Sequence, residues 1–77
     1  MENTILPYEE RAVHVRFEGQ SWTLALAVLN LREPFDPEAV RTALANHFDV
    51  PLQKFAVYVV EQHPNGNVTV RPEAIFG

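Results

Sequence analysis

The residues that could take part in chemistry are few and lie far apart in the chain. His14, His47 and His63 are predicted on a strand, a helix and a turn, with no carboxylate near them at ligand spacing, so we expect no metal site. The chain has no cysteine, and its only serine, Ser21, belongs to a predicted turn with no base beside it. We therefore expect a protein that is not an enzyme and that needs no cofactor.

The charge of the chain limits its partners. Ten acidic residues outnumber six basic ones, which gives a net charge of −4. Such a surplus disfavours binding to phosphate backbones and to anionic membrane surfaces, so nucleic acid is an unfavoured partner. No apolar run approaches the roughly 20 residues of a membrane helix, and the first residues lack the pattern of a signal peptide. We expect a cytoplasmic protein that does not bind membranes.

Any binding residues must be positioned by the elements that the patterns predict, and the first of these is a β-hairpin. Alternating apolar residues that end at Phe17 predict a half-buried strand. Gly19-Gln20 is predicted as a two-residue type II′ loop, which would place Phe17 opposite Trp22. Residues 25–31 are apolar on both faces, and their Ala and Leu content would also suit a helix. Because this stretch follows the hairpin, we predict that the strand continues through it.

One helix is predicted after the hairpin. Asp36 is a favourable N-cap, Pro37 suits the first helical position, and a run of helix-forming residues continues to Phe48. Pro51 cannot continue the helix. Arg41, Thr42, Ala45 and Asn46 are predicted to face away from the core, and the residues predicted to face it are Val40, Leu44, His47 and Phe48.

A second hairpin is predicted in the last third of the chain. Residues 55–62 are β-branched and aromatic, and Asn65-Gly66 is a strong signal for a two-residue loop. That loop would place His63 opposite Val68. Side chains predicted to face the helix are then Phe55, Val57, Val59, Val68 and Val70, and those predicted to face away from it are Tyr58, Val60, Thr69 and Arg71.

The order hairpin, helix, hairpin resembles the β-grasp fold of ubiquitin-like proteins. Residues 1–10 read as an N-terminal arm, and the resemblance covers a single domain over residues 11–77. It implies an α+β fold of ββαββ order, in which a four-stranded sheet carries one helix on one face. The strand order implied is 2-1-4-3, whereas the strong apolarity of residues 55–62 favours a central third strand and the order 2-1-3-4.

The resemblance also draws attention to the last residue, Gly77. A carboxyl-terminal glycine can be adenylated and attacked with little steric hindrance, as in ubiquitin-like modifiers and sulfur carriers. Those proteins usually end in two glycines, whereas the bulky Phe76 precedes Gly77 here. About 7% of the residues in proteins are glycine, so a final glycine can occur by chance. We therefore expect Gly77 to have no chemical role. A ubiquitin-like modifier or sulfur carrier that acts through Gly77 is kept as an alternative.

The face of the sheet away from the helix is the candidate binding surface. A sheet covered on one side leaves its other face to water or to a partner, and tyrosine and arginine are enriched in binding hot spots. We expect another protein, or a second copy of the chain, to bind there. One tyrosine on an acidic protein is little for a nucleic-acid site, so a regulatory nucleic-acid-binding protein is a second alternative. The candidate residues are His14, Arg16, Tyr58, Val60, Thr69 and Arg71.

Overall fold

Four strands and one α-helix follow each other within residues 4–73 in the predicted ββαββ order. The computed structural model describes residues 4–73. The elements are β1 (Ala12–Phe17), β2 (Gln20–Ala25), α1 (Pro37–Phe48), β3 (Tyr58–Gln62) and β4 (Val68–Pro72), with short 3₁₀ helices at Tyr8–Glu10 and Leu52–Phe55. The strands form one mixed sheet with α1 on one face, which confirms the predicted α+β class. Within residues 4–73 no helix is long and apolar enough to cross a membrane.

The strand order across the sheet is β2-β1-β4-β3, and the two central strands, β1 and β4, are parallel. This is the order 2-1-4-3 that the resemblance implies. The order 2-1-3-4, favoured by apolarity, is wrong because β3 is an edge strand. The buried centre is instead supplied by β4, where Val68 and Val70 are each 1% exposed.

The first hairpin turns one residue earlier than predicted. Its loop is Glu18-Gly19, and both residues have positive φ, 53° and 78°. Positive φ at both loop residues is typical of a type I′ turn, whose twist matches that of the flanking strands. Trp22 therefore lies opposite Val15 and not opposite Phe17. Because the pairing moves by two residues, Trp22 and Leu24 remain on the same face as the apolar side chains of β1.

The predicted continuation of the strand over residues 25–31 is wrong. After β2 ends at Ala25, the chain forms a single turn that stops at Asn30, which has a positive φ of 59°. The Leu31 N–H donates to the Leu26 carbonyl at 2.9 Å, and the Asn30 N–H donates to the Ala27 carbonyl at 3.1 Å. This pair of bonds is the Schellman arrangement that ends helices, and asparagine tolerates the left-handed position. The turn buries Leu26 and Leu29.

The helix begins and ends where the sequence predicts. Asp36 Oδ1 accepts a hydrogen bond from the Ala39 N–H at 2.9 Å, and Asp49 follows the helix in the left-handed conformation. The predicted orientation of the helix is wrong in part. Ala45 is buried and His47 is exposed, because α1 is rotated so that Arg41 reaches β3.

The core lies between the sheet and the helix. Phe55, from the 3₁₀ helix before β3, is fully buried and its ring is centred 4.9 Å from that of Phe17. The segment before β1 also packs onto the domain: the Leu6 N–H donates to the Asn65 carbonyl at 2.9 Å, and the Tyr8 hydroxyl donates to a carbonyl in the loop before α1. The core residues are Val13, Val15, Phe17, Leu26, Leu29, Leu31, Val40, Leu44, Ala45, Phe55, Val68 and Val70.

Candidate functional site

The helix-free face of the sheet takes alternate residues from each strand. On the two central strands these alternate with the buried valines, so their direction follows from the pleat. Four of the six predicted binding residues, His14, Arg16, Thr69 and Arg71, lie together on this face. The strand residues on this face are Ala12, His14, Arg16, Ser21, Thr23, Ala25, Val59, Glu61, Thr69 and Arg71.

The other two predicted residues, Tyr58 and Val60, lie on the helix side, so their predicted placement is wrong. Val60 pairs with the buried Val70 and points to the same side. The Tyr58 ring packs 4.8 Å from that of Phe55, centre to centre. The observed pairing of β3 with β4 differs by one residue from the predicted one. Because side chains alternate along a strand, such a slip moves every side chain of β3 to the opposite face.

A five-residue loop, 63–67, causes this slip. The His63 N–H donates to the Asn67 carbonyl at 2.8 Å, so the closing pair encloses three residues, 64–66, one more than predicted. Contacts with the first residue of β1 and with the segment before β1 hold this loop open. The Ala12 N–H donates to Asn67 Oδ1 at 2.9 Å, and the Asn65 carbonyl accepts the bond from Leu6.

The side chains of the helix-free face form two rows across the strands, and the first row ends in a charged residue on β3. It runs from Thr23 on β2 through His14 and Thr69 to Glu61 on β3. His14 Nδ1 lies 3.2 Å from Thr23 Oγ1, and His63 Nε2 lies 2.8 Å from Thr69 Oγ1. An open depression of about 400 Å³ lies at this end of the face; its lining residues are His14, His63, Pro64, Asn65, Asn67 and Thr69.

The second row contains the two arginines of the helix-free face. Arg16 and Arg71 directly follow the paired residues Val15 and Val70, so the two arginines are neighbours on the two central strands. Arg71 Nη2 lies 3.1 Å from a carboxylate oxygen of Glu61, and both side chains are nearly half exposed. Within residues 4–73, Arg16 makes no ion pair and its side chain is exposed.

The charge of the helix-free face is therefore opposite in sign to the net charge of the whole chain. Two arginines against one glutamate leave a positive charge at its centre, although the net charge of the chain is −4. Exposed like charges on neighbouring strands repel each other, and they are stabilised when a counter-charge lies between them. The geometry is suited to a carboxylate, because the planar guanidinium donates two parallel hydrogen bonds to such a group.

Tyr58 packs against core residues on the helix side of the sheet. Burial, together with the charge of Glu18, raises the pKa of its hydroxyl above the ordinary value. Its backbone carbonyl accepts two hydrogen bonds from the Arg41 guanidinium, at 3.2 Å from Nε and 3.0 Å from Nη2. These contacts tie β3 to α1 and leave the Tyr58 ring packed on the core.

Sequence reasoning missed Val59 and Glu61 as members of the helix-free face. Each alternating set of β3 contains a valine, so apolarity leaves the face open, and the charge of Glu61 is the signal that favours the exposed face for its set. Gly77 lies outside the described residues. In the part of the chain that is described, no group of three or more histidine, aspartate or glutamate side chains could hold a metal ion.

Comparison of the chain with protein-family models, with curated proteins and with solved structures gave no match.

Proposed function

We propose that the protein is a small interaction module that binds a carboxylate-rich segment of a partner protein across the helix-free face of its sheet. One observation carries this proposal: Arg16 and Arg71 are exposed neighbours at the centre of that face, in a chain whose net charge is −4. His14 and the hydroxyl of Thr69 lie in the adjoining row and supply further hydrogen-bonding groups for the same segment.

The arrangement favours an acidic segment over other ligands. Within residues 4–73 the guanidinium of Arg16 has no bonding partner, whereas Arg71 is shared with Glu61 in an exposed pair whose strength is only about 0.2–1 kcal/mol. An incoming carboxylate can therefore displace Glu61 at little cost. The remaining surface of the chain is predominantly acidic, which directs an acidic partner to this face by repelling it elsewhere.

Charge reversal at the centre of the face tests the proposal. Affinity capture from the native host with the wild-type chain should retain a partner that Arg16→Glu loses by about tenfold or more, since truncating a hot spot costs about 2 kcal/mol. Lys54→Glu is the matched control, because it makes the same change of charge at an exposed residue of the 3₁₀ helix that packs beside α1.

The control and the salt dependence define what would refute the proposal. Partner recovery should be unchanged in Lys54→Glu and should fall as salt rises, because the contacts are exposed ion pairs. Equal recovery by wild type and Arg16→Glu would refute the proposed site. Single-stranded oligonucleotides binding in place of a protein would support the nucleic-acid alternative, and a covalent adduct lost on deletion of Gly77 would support the modifier alternative.

A further inference from the structure

The two edges of the sheet are protected to different degrees. At β3, the Arg41 guanidinium covers the outward-facing carbonyl of Tyr58, and Gln62 Nε2 donates to the Phe35 carbonyl at 3.3 Å. Edge strands of monomeric proteins are usually covered or charged in this way, since exposed backbone groups can pair with another chain. β3 also carries the charge of Glu61. Its edge is therefore partly covered, which disfavours the addition of a further strand.

The edge at β2 has no such protection. Its residues, Gln20–Ala25, include no charged residue and no proline. In an antiparallel hairpin, alternate residues direct their backbone groups towards the partner strand. The two-residue loop and the bond from the Leu26 N–H to the Arg11 carbonyl show which residues these are. Ser21 and Thr23 belong to the other set, so their backbone groups point away from β1. Within residues 4–73, those N–H and carbonyl groups neither donate nor accept a hydrogen bond.

We propose that β2 pairs with β2 of a second copy of the chain, antiparallel about a two-fold axis that passes beside Trp22. In this register Ser21 of each copy lies opposite Thr23 of the other, and all the free backbone groups of these residues are used. The register with Thr23 opposite Thr23 would need the Ala25 carbonyl, which already accepts a bond from the Leu29 N–H at 3.2 Å. The two sheets become one sheet of eight strands.

Trp22 supplies the side-chain contact of this dimer. It is 39% exposed, on the helix side of the edge strand, and its ring centre lies 5.4 Å from that of Phe48 in an edge-to-face arrangement. At the axis the two Trp22 residues form the non-hydrogen-bonded pair, in which opposite side chains are closest. Pairing thus buries the exposed part of an indole that α1 already holds in position.

The difference between the two edges limits the assembly to two copies. Once the β2 edges are joined, the two β3 edges remain, and on each of them Arg41 occupies the outward carbonyl of Tyr58. A two-fold interface of this kind closes on itself, whereas an open second edge would continue into a fibre. β2 brings no like charges together, and the net charge of −4 on each copy gives a repulsion that salt screens.

Sedimentation equilibrium from about 1 μM to about 1 mM tests the proposal on the full chain. The mass should rise from 8.8 kDa towards twice that value and no further. Added salt should strengthen the dimer, in contrast to the binding of an acidic partner. Trp22 is the only tryptophan, so its emission should shift to the blue over the same concentration range.

Thr23→Pro removes the outward N–H and should keep the chain at 8.8 kDa. The control is His14→Ala, which removes the same contact between the imidazole and the Thr23 hydroxyl and leaves the edge intact, so it should dimerise like the wild type. Amide hydrogen exchange in the wild type gives a second readout that needs no variant. Protection of the Ser21 and Thr23 amides should rise with concentration while that of Val60, on the other edge, stays constant.

Three results would overturn the proposal. The first is a mass of 8.8 kDa at every concentration, and the second is a folded Thr23→Pro variant that dimerises as the wild type does. The third is a dimer in which protection of the Ser21 and Thr23 amides does not depend on concentration, which would place the interface elsewhere. Should Thr23→Pro fail to fold, the exchange measurement alone decides.

Discussion

Replacing Arg41 by methionine removes the guanidinium that joins α1 to β3 and keeps most of the aliphatic stem. In the wild type this group donates to the Tyr58 carbonyl from Nε at 3.2 Å and from Nη2 at 3.0 Å. It also lies 3.2 Å from Glu38 in an exposed i,i+3 pair. The variant therefore tests how much of the stability comes from the contact between the helix and the edge strand.

The expected loss follows from the geometry. A hydrogen bond to a charged group contributes about 1.5–3 kcal/mol. Both bonds end on one carbonyl, and the Arg41 side chain is 23% exposed, so we expect about 1.5–2.5 kcal/mol for the two together. A domain of this size loses about 4–8 °C in Tm per kcal/mol, which predicts a decrease of about 6–20 °C.

Urea unfolding followed by circular dichroism, with every variant at one protein concentration, measures the free energy of unfolding. Glu38→Gln is the matched control: it removes only the surface ion pair and should cost no more than about 0.5 kcal/mol. If Arg41→Met is no less stable than Glu38→Gln, the bonds to the Tyr58 carbonyl do not stabilise the fold and the reasoning is refuted.

Two further predictions concern the loop 63–67 and the partly buried Tyr58. Gly66→Ala should lower the free energy of unfolding by about 1–3 kcal/mol, because φ is +102° there and a Cβ would lie 2.7 Å from Arg11 Cδ. Gly19→Ala is the control and should cost less, since φ is +78° but the space around the residue is open. Equal losses of stability in the two variants would exclude the Arg11 contact as a cause. Burial raises the pKa of Tyr58, so the unfolded state releases this proton first and stability should fall as pH rises from about 10 through the raised pKa. Tyr58→Phe should show a smaller fall between pH 9 and pH 11 in urea titrations, and an unchanged fall would assign it to other groups.

The helix was predictable because its signals are local. Asp36 as N-cap and Pro37 at the first position act on backbone groups within one turn, and the structure shows the cap bond to the Ala39 N–H. The alternation in β1 was equally decisive, since one set of its side chains is apolar and the other is polar. Both predictions used only interactions between residues close in sequence.

The faces of β3 were predicted wrongly, because each of its alternating sets contains a valine and the turn signal at Asn65-Gly66 was given more weight than the charge of Glu61. The register was decided by the loop 63–67, whose width depends on bonds from Ala12 to Asn67 and from Leu6 to Asn65. Those donors lie more than 50 residues away in sequence. A local turn signal such as Asn65-Gly66 does not contain that information.

The sequence by itself determined the order of elements, the limits of the helix, the inward side of β1 and the acidic balance of the chain. Only the tertiary structure decided that β4 is central, that Tyr58 and Val60 face the helix, and that β2 is the unprotected edge. The physical reason is range: caps and alternation act within a few residues. Register and strand order depend instead on contacts between distant segments.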